Sequence, residues 1–113
     1  MNNELFEQCY SEIKKNSEID DTTRELWFCL LSKAIEYTEW RARWSIMSME
    51  EKMEKDDSRT SCHNSLITHF NMLSRYLDSI GIIHSWRSNI GDYRKDIGDF
   101  GNYIVFREAL NNR

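Results

Sequence analysis

Arg59 and His63 stand four residues apart, so a helix through them carries a guanidinium and an imidazole on one face. A cationic fork beside an imidazole can hold a phosphate, and the imidazole can move a proton in RNA cleavage. The opposing reading has His63 end an apolar stripe and Arg59 pair with an acid such as Asp56 or Asp99. Cys62, His63, His69 and His84 also lie close in sequence. Their spacing lacks C-x-x-C and H-x-x-x-H, and the neighbours Cys62 and His63 point about 100° apart on a helix. No metal site and no cofactor is therefore expected, and Cys62 reads as a small packed residue. The chain has no G-x-S-x-G elbow, no G-x-x-x-x-G-K-[ST] loop and no dinucleotide fingerprint. No catalytic residue is assigned, and the expectation is that the chain is not an enzyme.

A second cluster is Trp40-Arg41-Ala42-Arg43-Trp44, which holds the residue types that dominate interface hot spots. With Glu50, Glu51 and Glu54 just beyond it, Trp40, Arg41, Arg43 and Trp44 are the candidate partner-binding residues. The alternative is a helix whose tryptophans are core and whose arginines reach outward over them.

Charge separates the two clusters. The 113 residues carry 15 Lys and Arg against 19 Asp and Glu, a net of −4. Residues 1–57 hold 14 of the acids and 8 bases, whereas residues 58–113 hold 5 acids and 7 bases, six of them Arg, with all three His. Direct nucleic-acid binding is not favoured, because so small a basic excess releases few counterions. An acidic first half instead favours a protein partner with a basic surface. Three widely spaced cysteines read as reduced thiols of a cytoplasmic protein. No run of 18 apolar residues exists to span a membrane, and the first residues lack the basic and apolar regions of a signal peptide.

The elements that must position these residues are helices. With no proline and 4 glycines, the chain lacks the turn residues of an all-β domain. Leu5, Phe6, Cys9, Tyr10 and Ile13 predict a helix over 3–16. Asp20, Asp21 and Thr22 supply cap chemistry, and Thr22 with Glu25 fits a capping box. A second helix then runs to about Met47, with an apolar stripe wide enough for several neighbours. Ser48-Met49-Glu50-Glu51 is another capping-box pattern, opening a charged stretch over 50–57 that reads as a solvated helix end or a linker. His63, Leu66, Phe70, Leu73, Leu77 and Ile80 draw one stripe along a third helix over 61–79, which Gly81 ends as a left-handed cap. Residues 82–90 read as a connector with a short extended piece. Ile90-Gly91-Asp92-Tyr93 returns as Ile97-Gly98-Asp99-Phe100, so a last helix would align Ile90, Ile97 and Ile104, with Gly98 and Gly101 admitting a close neighbour. The prediction is an all-α single domain over 1–113, an irregular four-helix bundle with one long central helix. Its acidic helical half is 1–57 and its Arg/His half 58–113.

Two resemblances add to this. Arg59 followed by His63 is similar to the Arg-then-His pattern of the small helical HEPN nucleases, although three residues separate the pair here where that family has four to six. Arg59-Thr60-x-x-His63-Asn64, then Leu66-Ile67, Leu73 and Arg75, then Gly91-Asp92-x-Arg94-x-x-Ile97-Gly98-Asp99-Phe100, resembles a small bacterial domain family of Firmicutes genomes and their mobile elements. That resemblance covers residues 57–106 and implies one polar constellation of Arg59, His63, Arg75, Asp92, Arg94 and Asp99. The six are the candidate ligand-binding residues, either surrounding an anion or locking the third and fourth helices together. The functional expectation is a small acidic protein-binding module, a phage or mobile-element inhibitor of a bacterial defence nuclease in the manner of an anti-CRISPR. The alternatives are an enzyme or ligand sensor built on the Arg/His/Asp set, and a homo-oligomer, most simply a dimer.

Overall fold

The computed structural model describes residues 3–82, 90 and 94–111. They form four α-helices: α1 (Asn3–Ile19), α2 (Asp21–Trp44), α3 (Met49–Ser79) and α4 (Arg94–Asn111). No strand occurs among the described residues, and the all-α bundle is as the periodicities predict. The connector over 82–90, apart from its two ends, lies outside the described residues, as do His84, Asp92 and Tyr93.

Local chemistry sets the helix ends. Asp20 is the N-cap of α2: its carboxylate accepts from the Thr23 amide at 2.9 Å, the Thr23 hydroxyl at 2.6 Å and the Tyr76 hydroxyl at 2.8 Å. These donors hold the Asp20 carboxyl below the usual carboxylate range, the Thr23 side chain first among them. The cap is thus two residues earlier than a Thr22–Glu25 box would put it, and Thr22 is exposed. Ser48 and Glu51 do close a full capping box, at 3.2 and 3.3 Å. The charged run 50–57 is consequently the opening of α3 and no linker, and α3 begins three turns before Ser61. At its far end Gly81 takes a φ of 82°, and the Gly81 and Ile82 amides return to the carbonyls of Asp78 and Leu77 at 3.1 and 3.0 Å. That is a Schellman cap, for which only glycine has an unstrained backbone.

The long central helix of the bundle is α3. α2 packs against all three others. α3, at 31 residues, runs about 46 Å, close to the 47 Å long dimension of the molecule. Contacts to α4 give its direction. Phe6, Glu7 and Tyr10 of α1 meet Phe100, Arg107 and Asn111 in ascending order, so α1 and α4 run parallel. Thr38 and Arg41 of α2 meet Asn102 and Asp99 in descending order, so α2 and α4 run antiparallel. α3 therefore ends at the opposite end of the bundle from where α4 begins.

The core joins Phe6, Cys9, Tyr10 and Ile13 of α1, Trp27, Leu30, Ala34 and Tyr37 of α2, Leu66, Phe70, Leu73 and Leu77 of α3, and Phe100 and Ile104 of α4. Ile90, Ile97 and Ile104 are all buried, as the seven-residue echo implies. Gly98 and Gly101 lie where α4 comes against Tyr37 and against Leu66 and Ala34. A polar seam ties α1 to α4. Arg107 forks onto Glu7 at 2.8 and 2.9 Å, Tyr103 donates to the same carboxylate, and Glu108 takes Lys14 at 2.8 Å. Arg107 holds the Glu7 carboxyl below its ordinary value, while burial and the Glu108 charge push the Tyr10 hydroxyl up to about 12.

Candidate functional site

Beyond Leu66 the apolar core gives way to a polar cluster where α2, α3 and the start of α4 converge. On α2 the residues are Tyr37, Arg41 and Trp44, spaced four and three apart and so on one face. On α3 they are His63 and Arg59, again four apart. Because α2 and α3 are antiparallel, Tyr37 meets His63 and Trp44 meets Arg59. The imidazole stacks on the Tyr37 ring with centroids 4.5 Å apart and planes 22° apart, and the Arg59 guanidinium lies 4.7 Å from the Trp44 ring centroid. From α4, the Arg94 carbonyl accepts from His63 Nε2 at 2.8 Å, and Asp99 accepts from Arg41 Nη2 at 3.0 Å.

The electrostatics follow from burial. His63 is 8% exposed. Desolvation lowers its pKa below the usual 6.5, and the nearby charges of Arg94, Arg59 and Arg41 lower it further, against the opposing bond to the Arg94 carbonyl. A neutral imidazole that donates from Nε2 keeps Nδ1 as its acceptor. Below pH 6.5 the unfolded chain takes up a proton at this residue before the folded chain does, so stability falls with pH in that window. Denaturant titrations should show this loss from pH 6.5 downward, and His63→Gln should flatten it. An unchanged slope in the variant would place the acid sensitivity elsewhere.

Two cluster nitrogens, Arg41 Nη1 and Arg59 Nε, are buried without an acceptor among the described residues. Among the described residues Arg59 is paired with Asp56 at 3.7 Å, an i,i+3 pair on an exposed carboxylate with little hold on it. Asp99 belongs to Arg41 instead.

The structure thus brings together Arg59, His63, Arg94 and Asp99 of the predicted constellation. Arg75 is elsewhere: it is exposed and lies twelve residues along α3 from His63, about 18 Å at the helical rise. Asp92 is outside the described residues. Arg41 turns inward to Asp99, whereas the Trp/Arg motif alone places it on a partner surface. Tyr37 is part of the core, and its ring forms the floor beneath His63. The pattern Tyr37-x-x-x-Arg41-x-x-Trp44, matched to the four-residue step of Arg59 and His63, is the sequence signal for it.

The remaining partner candidates stay at the surface. Trp40 is partly covered with Arg43 above it at 4.7 Å, and Trp44 is flanked by Lys52 at 5.9 Å as well as by Arg59. Glu50, Glu51 and Glu54 are exposed in the first turns of α3, Glu51 serving also as the capping-box acid. Beside them a shallow cleft of about 370 Å³ is lined by Trp44, Met49, Lys52, Met53 and Asp56.

Among the described residues no group of three His, Cys, Asp or Glu side chains could hold a metal ion. Cys9, Cys29 and Cys62 are free thiols, and burial raises the pKa of Cys62, so that thiol is not activated. His69 is occupied by the Ser65 carbonyl at 2.8 Å. No described helix is long and apolar enough to cross a membrane. Comparison with protein-family models, with curated proteins and with solved structures gives no match to this chain.

Proposed function

We propose that the chain is a protein-binding module that docks through the tip of the α2–α3 hairpin onto a partner with a basic rim and an apolar centre. One observation carries the reading. Over residues 49–62 α3 fully buries no side chain, yet Ile46, Met49 and Met53 stand 84%, 73% and 75% exposed beside the Trp44 cleft. A long helix that runs past its own core and displays methionines exposes apolar area that a monomer has no use for. Methionine adapts to varied apolar surfaces, and tryptophan is a frequent anchor of binding energy.

Charge favours one kind of partner. Glu50, Glu51, Glu54, Asp56 and Asp57 surround the methionines and are exposed. An apolar patch with a charged rim is how interfaces are organised, and the carboxylates favour a cationic partner and speed its encounter. A nucleic-acid-handling protein offers such a surface, because its groove gathers lysines and arginines for phosphates. Occupying that groove is inhibition, so the partner class proposed is a nuclease, of which bacterial defence nucleases are one kind.

The test compares three proteins on one host lysate: the native chain, Met49→Glu/Met53→Glu, and Glu54→Lys/Asp57→Lys, which leaves the Ser48–Glu51 capping box intact. All three should keep the native helical signal, since none of these side chains is in the core. A specific partner is retained by the native chain at low salt and lost by both variants, and its retention by the native chain weakens as salt rises. If the retained proteins are the same for all three, the tip is not the docking surface. A native dimer dissociated by the methionine variant would make a second copy the occupant in place of a basic partner.

A further inference from the structure

We infer that the cluster of Arg41, Arg59 and Arg94 around His63 is a binding site for a tetrahedral oxyanion of the phosphate class, separate from the hairpin tip. The charges of this cluster are imbalanced. Three guanidiniums lie near enough to one buried imidazole to disfavour its protonation. Among the described residues the partly buried carboxylate beside them is Asp99, and its ion pair is with Arg41. The exposed Asp56 stands 3.7 Å from Arg59 and compensates little. Cations concentrated this way repel one another, in a chain whose net charge is −4.

The second observation is geometric. Arg41 Nη1 and Arg59 Nε are buried donors with no acceptor among the described residues. A buried donor on a charged group that lacks an acceptor is costly, and such groups are nearly always satisfied. The missing element is therefore an acceptor, and the surrounding charge calls for a negative one. The donors come from different helices, with Arg94 at the start of a third. Oxygens disposed tetrahedrally can serve several such donors at once, whereas the two coplanar oxygens of a carboxylate match a single fork. His63 supplies neutrality: it stays unprotonated, leaves Nδ1 as an acceptor, and can take a hydrogen bond from a phosphate hydroxyl.

Access is open. The side chains of Arg41 and Arg59 remain 37% and 30% exposed. Arg41 also lines a cleft between α2 and α4 with Thr38, Ala42, Asn102, Val105 and Phe106. Arg75, although part of the sequence pattern, is too far along α3 to take part, which makes it an internal control.

The experiment titrates inorganic phosphate, and separately glycerol phosphate, into the native chain at constant ionic strength with chloride as reference. Melting temperature and the ¹⁵N–¹H resonance of Arg59 Nε are followed. The expected result is a saturable rise of several degrees in Tm with phosphate, none with chloride, and a shift of the Arg59 Nε signal. Arg41→Gln and Arg59→Gln should each weaken binding at least tenfold, Arg59→Lys less, and Arg75→Gln not at all. Comparing each variant with and without phosphate keeps any change in its own stability out of the answer. Tighter binding of glycerol phosphate identifies an ester as the ligand, and equal binding identifies free phosphate. No phosphate-specific shift, or one that Arg41→Gln and Arg59→Gln leave intact, overturns the site. So does an Arg59 Nε signal that stays fixed while Tm rises.

Discussion

Phe100→Ala is expected to destabilise the fold by about 3–5 kcal/mol, the range for emptying a well-packed aromatic site. Phe100 is 1% exposed, and its ring meets Phe6 of α1 edge-on at 5.5 Å and Phe70 of α3 edge-on at 5.9 Å. It is where α4 joins two other helices, so little of the vacated space can close without moving a helix. Each edge-to-face pair adds about 0.5–1.5 kcal/mol beyond the area buried. Domains of this size hold about 5–15 kcal/mol in all, which puts the variant near the edge of unfolding at room temperature. Chemical denaturation should show a large drop in midpoint with a nearly unchanged slope. Phe106→Ala on the same helix is the control: Phe106 is 58% exposed, and its loss should stay within about 0.5 kcal/mol. Similar midpoints for the two variants would contradict this packing of α4.

That junction shows why the bundle was legible from the residues alone. The steps of three and four in Leu66, Phe70, Leu73 and Leu77, and the seven-residue step of Ile90, Ile97 and Ile104, are one-dimensional records of which faces are buried. All of these side chains are buried. Caps were legible where the side chain involved has a single use: Ser48 with Glu51, and Gly81. They were ambiguous at Asp20-Asp21-Thr22, where three adjacent residues can cap and only the third partner, the Tyr76 hydroxyl 56 positions away, favours Asp20.

The polar cluster was half legible for a related reason. Periodicity places Arg59 and His63 on one face of α3 but says nothing about which residue of α2 stands opposite. Register between antiparallel helices is set by packing, here by Tyr37 of α2 against His63 of α3 and by α4, whose Gly98 meets Tyr37 and whose Gly101 meets both Leu66 and Ala34. Arg41 was therefore assignable to a surface from its Trp/Arg neighbours, yet it turns inward, because the same face of α2 that carries Tyr37 carries Arg41. Arg75 shows the converse error. It belongs to the pattern in sequence, but it is exposed, and three helical turns separate it from His63.

Gly98→Val tests whether that register controls the cluster. A β-carbon at Gly98 would stand 3.0 Å from both Cε2 and Oη of Tyr37, so close that the ring must shift by a few tenths of an ångström. The ring has little room to give way, because His63 is stacked on it at 4.5 Å and the imidazole is tied to the Arg94 carbonyl. Overpacking of this kind costs about 1–3 kcal/mol. Replacing a helical glycine by alanine returns about 1 kcal/mol, so Gly98→Ala should fall near neutral, while the branched valine shows the full penalty. The decisive readout is the His63 titration by NMR. If Tyr37 is pushed aside, the imidazole gains water and its pKa climbs back toward 6.5. Gly101→Ala crowds a methyl of Leu66 at 2.9 Å and leaves Tyr37 alone, so it should change stability without moving that titration. A His63 titration that stays fixed in Gly98→Val would mean that the Arg94 carbonyl and the three guanidiniums position the imidazole unaided. Tyr37 would then be packing for α2, with no part in shaping the cluster.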